Sequence, residues 1–506
     1  METKNENVYV PAFYANRSIF ITGGTGFLGK ALIEKLLRSC PDVREIFVLI
    51  RPKKGLSVND RLNKILSNKL FDLLRSRQPS AFDKIVPVTG YVAKENLGLL
   101  PSDREMLIDR VSIIFHVAAS VRFDEGLKDA IFNNTRSTRD ICILASEMKN
   151  LVVLLHVSST YTQTDKLVVD EVLYPSKFDW KKAIEVAERV DEHVLRILTT
   201  KYLENMPNTY TFTKRLAEQV ISDYSESLPC AIIRPSIVIS TTYDPMPGWI
   251  DNFNGPVGML IGGGKGILRV LWSDPNINSD YVPVDVTIKA MILIAWKRGI
   301  RKDKITDVCH CSSSLMKCMD VKTIVEIGLD IVKEIPLNNV VWKPRTTITK
   351  NYFVYYSLVL ILHIIPAMFL DEIMKLFGVQ PMLVRLQRKV YVSNRALSYF
   401  LLNQWTFRNQ NMITMLDNLS AENQKDFGYP YKDVDVVQYF KDGIIGAKLY
   451  LLNESMDELE ASKRHYNRMK RLDTIVRVIF AAIVLWILYR RNVLSYIMDI
   501  FLSFAY

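Results

Sequence analysis

The chain has 506 residues, 49% apolar and 24% charged, which excludes a disordered or fibrous protein and leaves ample length for a core without disulfide or metal staples. Its one odd figure is a net charge of +11, from 65 basic against 54 acidic residues. Such a surplus calls for an anionic partner: nucleic acid, a membrane surface or a phosphorylated ligand. Six cysteines in so long a chain make no disulfide framework. Cys309-His310-Cys311 lacks the paired C-x-x-C spacing of a zinc site, so no metal is expected there.

Residues 1–16 form a polar N-terminal tail without the apolar stretch of a secretory signal. From residue 17 the chain alternates apolar runs with helical or polar segments. The runs at 18–21, 46–50, 85–88, 113–115, 151–157 and 231–233 predict strands. Strands alternating with helices predict an α/β fold, a doubly wound parallel sheet of Rossmann type. The first strand leads into Thr22-Gly23-Gly24-Thr25-Gly26-Phe27-Leu28-Gly29, and Leu28, Leu32 and Leu36 then recur at helical spacing. Glycines at 23, 26 and 29 let backbone N–H groups and a helix N-terminus approach a pyrophosphate with no Cβ in the way. A dinucleotide site specific for NAD wants an acidic residue at the end of the second strand. Here stand Arg51, Pro52, Lys53 and Lys54, whose cations suit a 2′-phosphate, so NADPH is the expected cofactor.

Tyr210 and Lys214 form a Y-x-x-x-K pair that a helix places on one face. A neighbouring ammonium is expected to lower the phenol pKa, so that Tyr210 can pass a proton to a carbonyl oxygen as hydride arrives at carbon. The strand at 151–157 ends at Ser158 and Ser159, whose hydroxyls can hydrogen-bond the same oxygen. His156 reads as a hydrogen-bonded core histidine and His116 as packing under the cofactor loop. Lys265, in the run of glycines from 262 to 266, could meet a phosphate or belong to a flexible loop. Trp405 and Phe407 read as core.

Ten further motifs carry a family resemblance. They are TGGTGFLGK (22–30), FVLIRPKKG (47–55), FHVAASVRFDE (115–125), PNTYTFTK (207–214), IIRPSIV (232–238), PMPGWIDNFNGPVGMLIGGGKG (245–266), DYVPVD (280–285), WTFRNQN (405–411), LSAENQKDFGY (419–429) and IIGAKLYLL (444–452). Together they resemble the insect-like, alcohol-forming fatty acyl-CoA reductases of the extended short-chain dehydrogenase/reductase superfamily. The resemblance implies NADPH-dependent reduction of a long-chain acyl-CoA through an aldehyde to a fatty alcohol, with release of CoA. It implies that Tyr210 is the general acid, that Lys214 also holds the nicotinamide ribose, and that Ser159 stands at the place of a catalytic Thr. It also implies that Ala118 and Ala119 line the cofactor and that Pro235, Ser236 and Ile237 contact the nicotinamide carboxamide. Three positions depart from the family: Tyr91 for an Asp, Ser137 for a Gly and Ser159 for a Thr. Two other functions fit parts of this pattern, a membrane-anchored dehydrogenase of steroid or other lipid alcohols and a catalytically weak NADP-binding scaffold.

The expected organisation is therefore a Rossmann reductase domain over 17–345, a helical C-terminal module over 346–455 and a membrane tail over 474–506. Within the tail, 475–489 is strongly apolar, and 493–506 has Asp499 as its one charge. A second apolar stretch, 352–370, reads either as a membrane-dipping or substrate-channel helix pair or as a buried core helix. Residues 463–491 hold eight cations and one acid, a net +7 of the chain's +11. Most of the charge surplus is thus a collar beside a lipid bilayer and not a nucleic-acid surface. Positive-inside counting then places the catalytic domain in the cytosol, on the endoplasmic reticulum or, alternatively, the peroxisome.

Overall fold

The computed structural model describes residues 9–53, 55–254, 256–314, 318–429 and 434–490. Seven parallel strands form the central sheet: β1 (Ser18–Thr22), β2 (Glu45–Ile50), β3 (Ile85–Thr89), β4 (Val111–His116), β5 (Val153–Val157), β6 (Cys230–Pro235) and β7 (Asp307–Cys311). Their spatial order is 3-2-1-4-5-6-7. The order reverses between β1 and β4, which opens a crevice at their C-terminal ends.

Alternation along each strand sorts side chains onto two dry faces. Ile19, Ile21, Val48, Phe115 and Leu155 point to one face, under α1 (Phe27–Ser39) and α6 (Val284–Gly299). Phe20, Phe47, Ile114 and Leu154 point to the other, under α2 (Pro101–Arg110), α3 (Ser137–Glu147) and α4 (Thr209–Tyr224). Burial on both faces explains why these strands read as unbroken apolar runs. The 309–311 segment is β7, and Cys309 and Cys311 share one buried face of it.

The structure differs from the sequence expectation near the N-terminus. Val10–Tyr14 is a short buried helix, with the Tyr14 hydroxyl donating to Ile292 O at 2.7 Å. The start of the chain is therefore docked on α6 from Val10 onward.

The C-terminal half wraps back onto the Rossmann body. A helix α5 (Pro256–Gly264) and α7 (Val321–Glu334) face α10 (Val436–Gly446). Two small parallel pairs stitch the halves together: Thr347 pairs with Val270, and Thr406 with Val168. Between these lie α8 (Tyr352–Leu376) and its partner α9 (Leu383–Leu402). Helix α8 widens into a π-helical turn over Leu360–Ile364, next to Pro366, whose missing N–H a regular helix would have to absorb. Last comes α11 (Leu459–Arg490), 32 residues long. Its first turns are held to the body, with Asp473 accepting from the Trp342 indole at 2.6 Å. Beyond Thr474 its apolar side chains are exposed. Helix α8 and the helix over Met456–Arg490 are both long and apolar enough to cross a membrane.

Candidate active site

The glycine-rich turn sits at the crevice. Gly23 has φ +75°, and a Cβ there would stand 2.7 Å from the Ala118 backbone. A Cβ on Gly29 would stand 2.2 Å from Gly23 O. Only bare backbone fits, and the Gly23 carbonyl is free to accept from Gly26 N–H at 2.9 Å. Gly26 begins α1 with no side-chain cap, so the first N–H groups of a 13-residue helix face the crevice. Thr25, Phe27 and Leu28 are half-buried around it, and Phe27 stacks on Trp249 at 5.1 Å.

A buried hydrogen-bond chain fixes the turn to β4. Thr22 Oγ1 lies 2.7 Å from His116 Nδ1 and accepts from Ala118 N–H. His116 Nε2 lies 3.1 Å from Thr138 Oγ1, whose own proton goes to Asn134 O. Because Thr138 has given its proton away, His116 must donate from Nε2 and accept the Thr22 hydroxyl at Nδ1. Burial, with Lys214 nearby, pushes its pKa down to about 3, so the ring is neutral and structural. His156 beside it is equally buried, and neither ring nitrogen has a partner among the described residues. The expected hydrogen-bonded histidine is thus a neutral, unpartnered one.

Asn134 is a site residue that the sequence did not single out. It accepts from Ser120 N–H at 2.8 Å and donates to Thr213 Oγ1 at 2.9 Å. That ties the Ala118-Ala119 loop to the helix carrying Tyr210. Ser137, one of the family departures, turns its hydroxyl back to Asn133 O within its own helix.

Asn208 caps α4 by accepting from Thr211 N–H, so Tyr210 and Lys214 lie one turn apart at the start of a firm helix. The Ser159 hydroxyl bonds the Tyr210 phenol and lowers its pKa, but burial outweighs this and the net shift is upward. This differs from the sequence expectation that Lys214 would lower it. The Lys214 ammonium instead donates to Val157 O at 2.6 Å, and burial brings its own pKa down to about 7 while Glu218 works in the opposite direction.

Ser158 and Ser159 part company. The Ser158 hydroxyl donates to Glu218 Oε1 and is spent there, so its expected share in catalysis is replaced by a structural one. Glu218 also holds Arg234 through both carboxylate oxygens at 2.8 Å. Arg234 is fully buried, yet all five of its donors are met, by Glu218 twice, Asp170 O, Val172 O and His310 Nε2. This ion pair locks β6 against α4 behind the site.

The residues after β6 line the crevice floor. Pro235 ends the strand, Ile237 N–H donates to Asp280 O, and the buried Ser236 hydroxyl has no partner among the described residues. At the far end of β2, Arg51 is exposed, with its guanidinium 4.9 Å over the Tyr91 ring. Lys54 lies outside the described residues. A glycine cradle, an uncapped helix N-terminus, an orphaned Ser236 hydroxyl and a cation at the β2 end together fit a dinucleotide. Lys265 does not belong to this set: it is paired with Glu454 at 2.6 Å.

The C-terminal half closes the site. Phe400, in the last turn of α9, meets Phe123 at 5.3 Å and Tyr161 at 5.0 Å, and Phe123 lies 5.9 Å from the Tyr210 ring. Trp405 and Phe407 pack on Tyr161 at 5.6 and 5.1 Å. The aromatic residues read as core therefore also wall the space before Tyr210. Behind Ile239 lies a partly open apolar pocket, bordered by Leu260, Tyr281, Val332, Phe440 and Ala447. Its wall strand, Tyr281–Pro283, pairs with Ile237–Ile239, directly after the crevice floor.

This arrangement has known counterparts. An NAD-binding family model described as male sterility protein matches residues 21–291, and a second, Sterile, with the same description, matches 362–454. The chain is 36% identical to human fatty acyl-CoA reductase 1, over 92% of this chain and 90% of that protein. It is 33% identical to mouse fatty acyl-CoA reductase 2, over 96% and 94%. Among solved structures it is similar to the terminal R domain of the myxalamid PKS-NRPS pathway, with TM-score 0.58 at 18% identity over 86% of this chain and 90% of that one. The reductase domain of a Mycobacterium tuberculosis nonribosomal peptide synthetase gives TM-score 0.58 at 14% identity, over 87% and 95%. These two show the shared Rossmann reductase fold, and the sequence relatives show the lineage: the chain belongs to the fatty acyl-CoA reductase family.

Proposed function

We propose that the protein reduces long-chain fatty acyl-CoA to a primary fatty alcohol with NADPH, from a membrane. The observation that carries this is the Tyr210–Ser159 pair beside a glycine-cradled crevice, walled by aromatic rings, with an apolar pocket next to the strand that follows the crevice floor. NADPH supplies hydride: two equivalents, with two protons, convert the thioester to alcohol and free CoA thiol.

The chain's residues do the rest. The hydroxyls of Ser159 and Tyr210 converge on the carbonyl oxygen and stabilise its developing charge. A raised pKa keeps Tyr210 protonated at neutral pH, which suits a general acid. Lys214, with a pKa of about 7 and one N–H bonded to Val157 O, holds a ribose hydroxyl and re-protonates the phenol in this reading. The backbone of 22–29, with Ala118, Ala119, Pro235, Ser236 and Ile237, holds the dinucleotide, and Arg51 meets its 2′-phosphate. The aromatic wall keeps water from the reacting carbonyl, and the apolar pocket bordered by Leu260, Val332, Phe440 and Ala447 takes the acyl chain.

The exposed apolar part of α11 anchors the chain in the endoplasmic reticulum. Lys463, Arg464, Arg468, Lys470 and Arg471 stand on the near side, so the catalytic domain faces the cytosol. Membranes carrying the full chain should form alcohol from long-chain acyl-CoA and NADPH, and Tyr210→Phe should lower the rate by about 10²–10⁴-fold while retaining NADPH binding. Undiminished alcohol formation in Tyr210→Phe would falsify the assignment.

A further inference from the structure

Like the end of α11, the α8–α9 hairpin exposes an apolar surface. Phe353, Ile361, Ile365, Phe369 and Leu376 of the 25-residue helix, and Phe377 just past its end, are all more than half exposed. Its buried side explains why it stays in place. Tyr355 stacks on Trp272 at 5.7 Å, and Asn394 of α9 bonds both Trp272 N–H and Val270 O. Asp371 accepts from three N–H groups, Met382, Leu383 and Val384, which caps α9 and sets the turn. The helix pair is thus rigidly fixed to the body with an apolar face outward, and a buried core helix is excluded by that exposure.

We propose that this hairpin lies in the plane of the bilayer interface as a second, monotopic membrane contact, alongside the α11 anchor. The occupant is set by chemistry on the neighbouring helix. Arg385, Arg388 and Lys389 of α9 are exposed and have no ion-pair partner among the described residues. Lying flat, α8 buries its apolar face at the headgroup–acyl boundary while these cations meet lipid phosphates. Spanning is disfavoured because α9 packs antiparallel to α8, so its cations would be drawn into hydrocarbon with it. A peptide or protein partner offers no reason for an apolar helix of ~38 Å with unpaired cations grouped beside its turn.

The geometry gives the contact a purpose. Helix α9 runs 20 residues, ~30 Å, from the hairpin turn to Phe400, which touches the rings around Tyr210. One rigid helix therefore joins the lipid-facing turn to the reaction chamber. The inference deepens the membrane assignment above and rests on α11 to bring the domain to the bilayer.

The test uses the full chain reconstituted in phosphatidylcholine–phosphatidylserine vesicles, with a fluorophore on Phe369→Cys, a position 67% exposed. NADPH binding by the labelled protein establishes that it is folded. Nitroxide-labelled lipids then report depth. Quenching should be at least about threefold stronger with the nitroxide near the headgroup than near the acyl terminus, as an interfacial helix requires. The combined variant Arg385→Glu, Arg388→Glu, Lys389→Glu should lower that quenching and its dependence on phosphatidylserine. Stronger quenching from the acyl terminus would mean that the hairpin spans, and overturns the proposal. No quenching in protein that floats with the vesicles also overturns it and leaves the α11 anchor standing. Failure to float with the vesicles would sink both assignments.

Discussion

Replacing Glu218 by Gln removes a carboxylate that serves two buried cations at once. Arg234 would lose the carboxylate it is paired with, and breaking a buried pair by deleting one partner costs ~3–5 kcal/mol, or about 10²–10⁴ in the folding equilibrium. Lys214 would lose the negative charge that opposes the effect of its burial. The two residues are one helical turn apart, ~6 Å, which at an effective dielectric constant of ~20 is worth up to ~3 kcal/mol, or ~2 pKa units. The sign follows from the direction of the shift. The Lys214 ammonium is lost as pH rises through about 7 in the parent, and without Glu218 it is lost at lower pH still. The assay is the pH profile of alcohol formation, whose alkaline limb should move down by about 1–2 units in Glu218→Gln. A companion pair, Glu218→Leu with Arg234→Met, should recover most of the stability but leave the limb displaced. An unmoved limb in folded Glu218→Gln would refute the role given to the Lys214 ammonium.

Gly29→Ala places a methyl 2.2 Å from Gly23 O and should abolish NADPH binding, measured by nicotinamide fluorescence, while costing ~1–3 kcal/mol in stability. Arg51→Ala should weaken NADPH by about 10–100-fold and NADH far less, since only the former presents a phosphate for a charge-assisted hydrogen bond. Equal losses would remove the 2′-phosphate assignment. Ala447→Phe narrows the acyl cavity and should shift the preferred chain shorter, with ~4-fold loss in kcat/KM for each methylene that no longer fits. An unchanged chain-length profile from an active enzyme would place the acyl chain elsewhere.

The central sheet was legible because both of its faces are dry. Runs such as 46–50 and 113–115 fall inside β2 and β4 to within two residues at either end. The glycine turn and the Tyr210–Lys214 spacing were legible because their geometry is local. What escaped was long-range. Glu218, Arg234 and Ser158 look like ordinary polar residues until α4, β6 and the end of β5 are brought together. The loop at 119–120 likewise shows no need of Asn134 until the π-helical turn Ile131–Arg136, just before α3, folds under it. For Phe400 and Trp405, the partner Tyr161 lies more than 230 residues away. The docking of Val10–Tyr14 was hidden for the opposite reason, since five residues are too few for a periodicity to register. The apolar stretch at 352–370 could not be assigned to core or lipid, because hydropathy is the same in both and only a neighbour, or its absence, tells them apart.

The distance between Tyr161 and Phe400 along the chain also has a bearing on how the enzyme is made. During synthesis the dinucleotide cradle, Ser159 and Tyr210 are complete once β7 has emerged, some hundred residues before Phe400 and Trp405 exist. A nascent chain of that length carries the residues of the cradle without the aromatic wall around Tyr161. The aromatic wall before Tyr210 is complete only when the last third of the polypeptide arrives, the same third that carries the two helices long and apolar enough to cross a membrane. Closure of the chamber and those apolar helices are therefore completed by one stretch of chain, late and together.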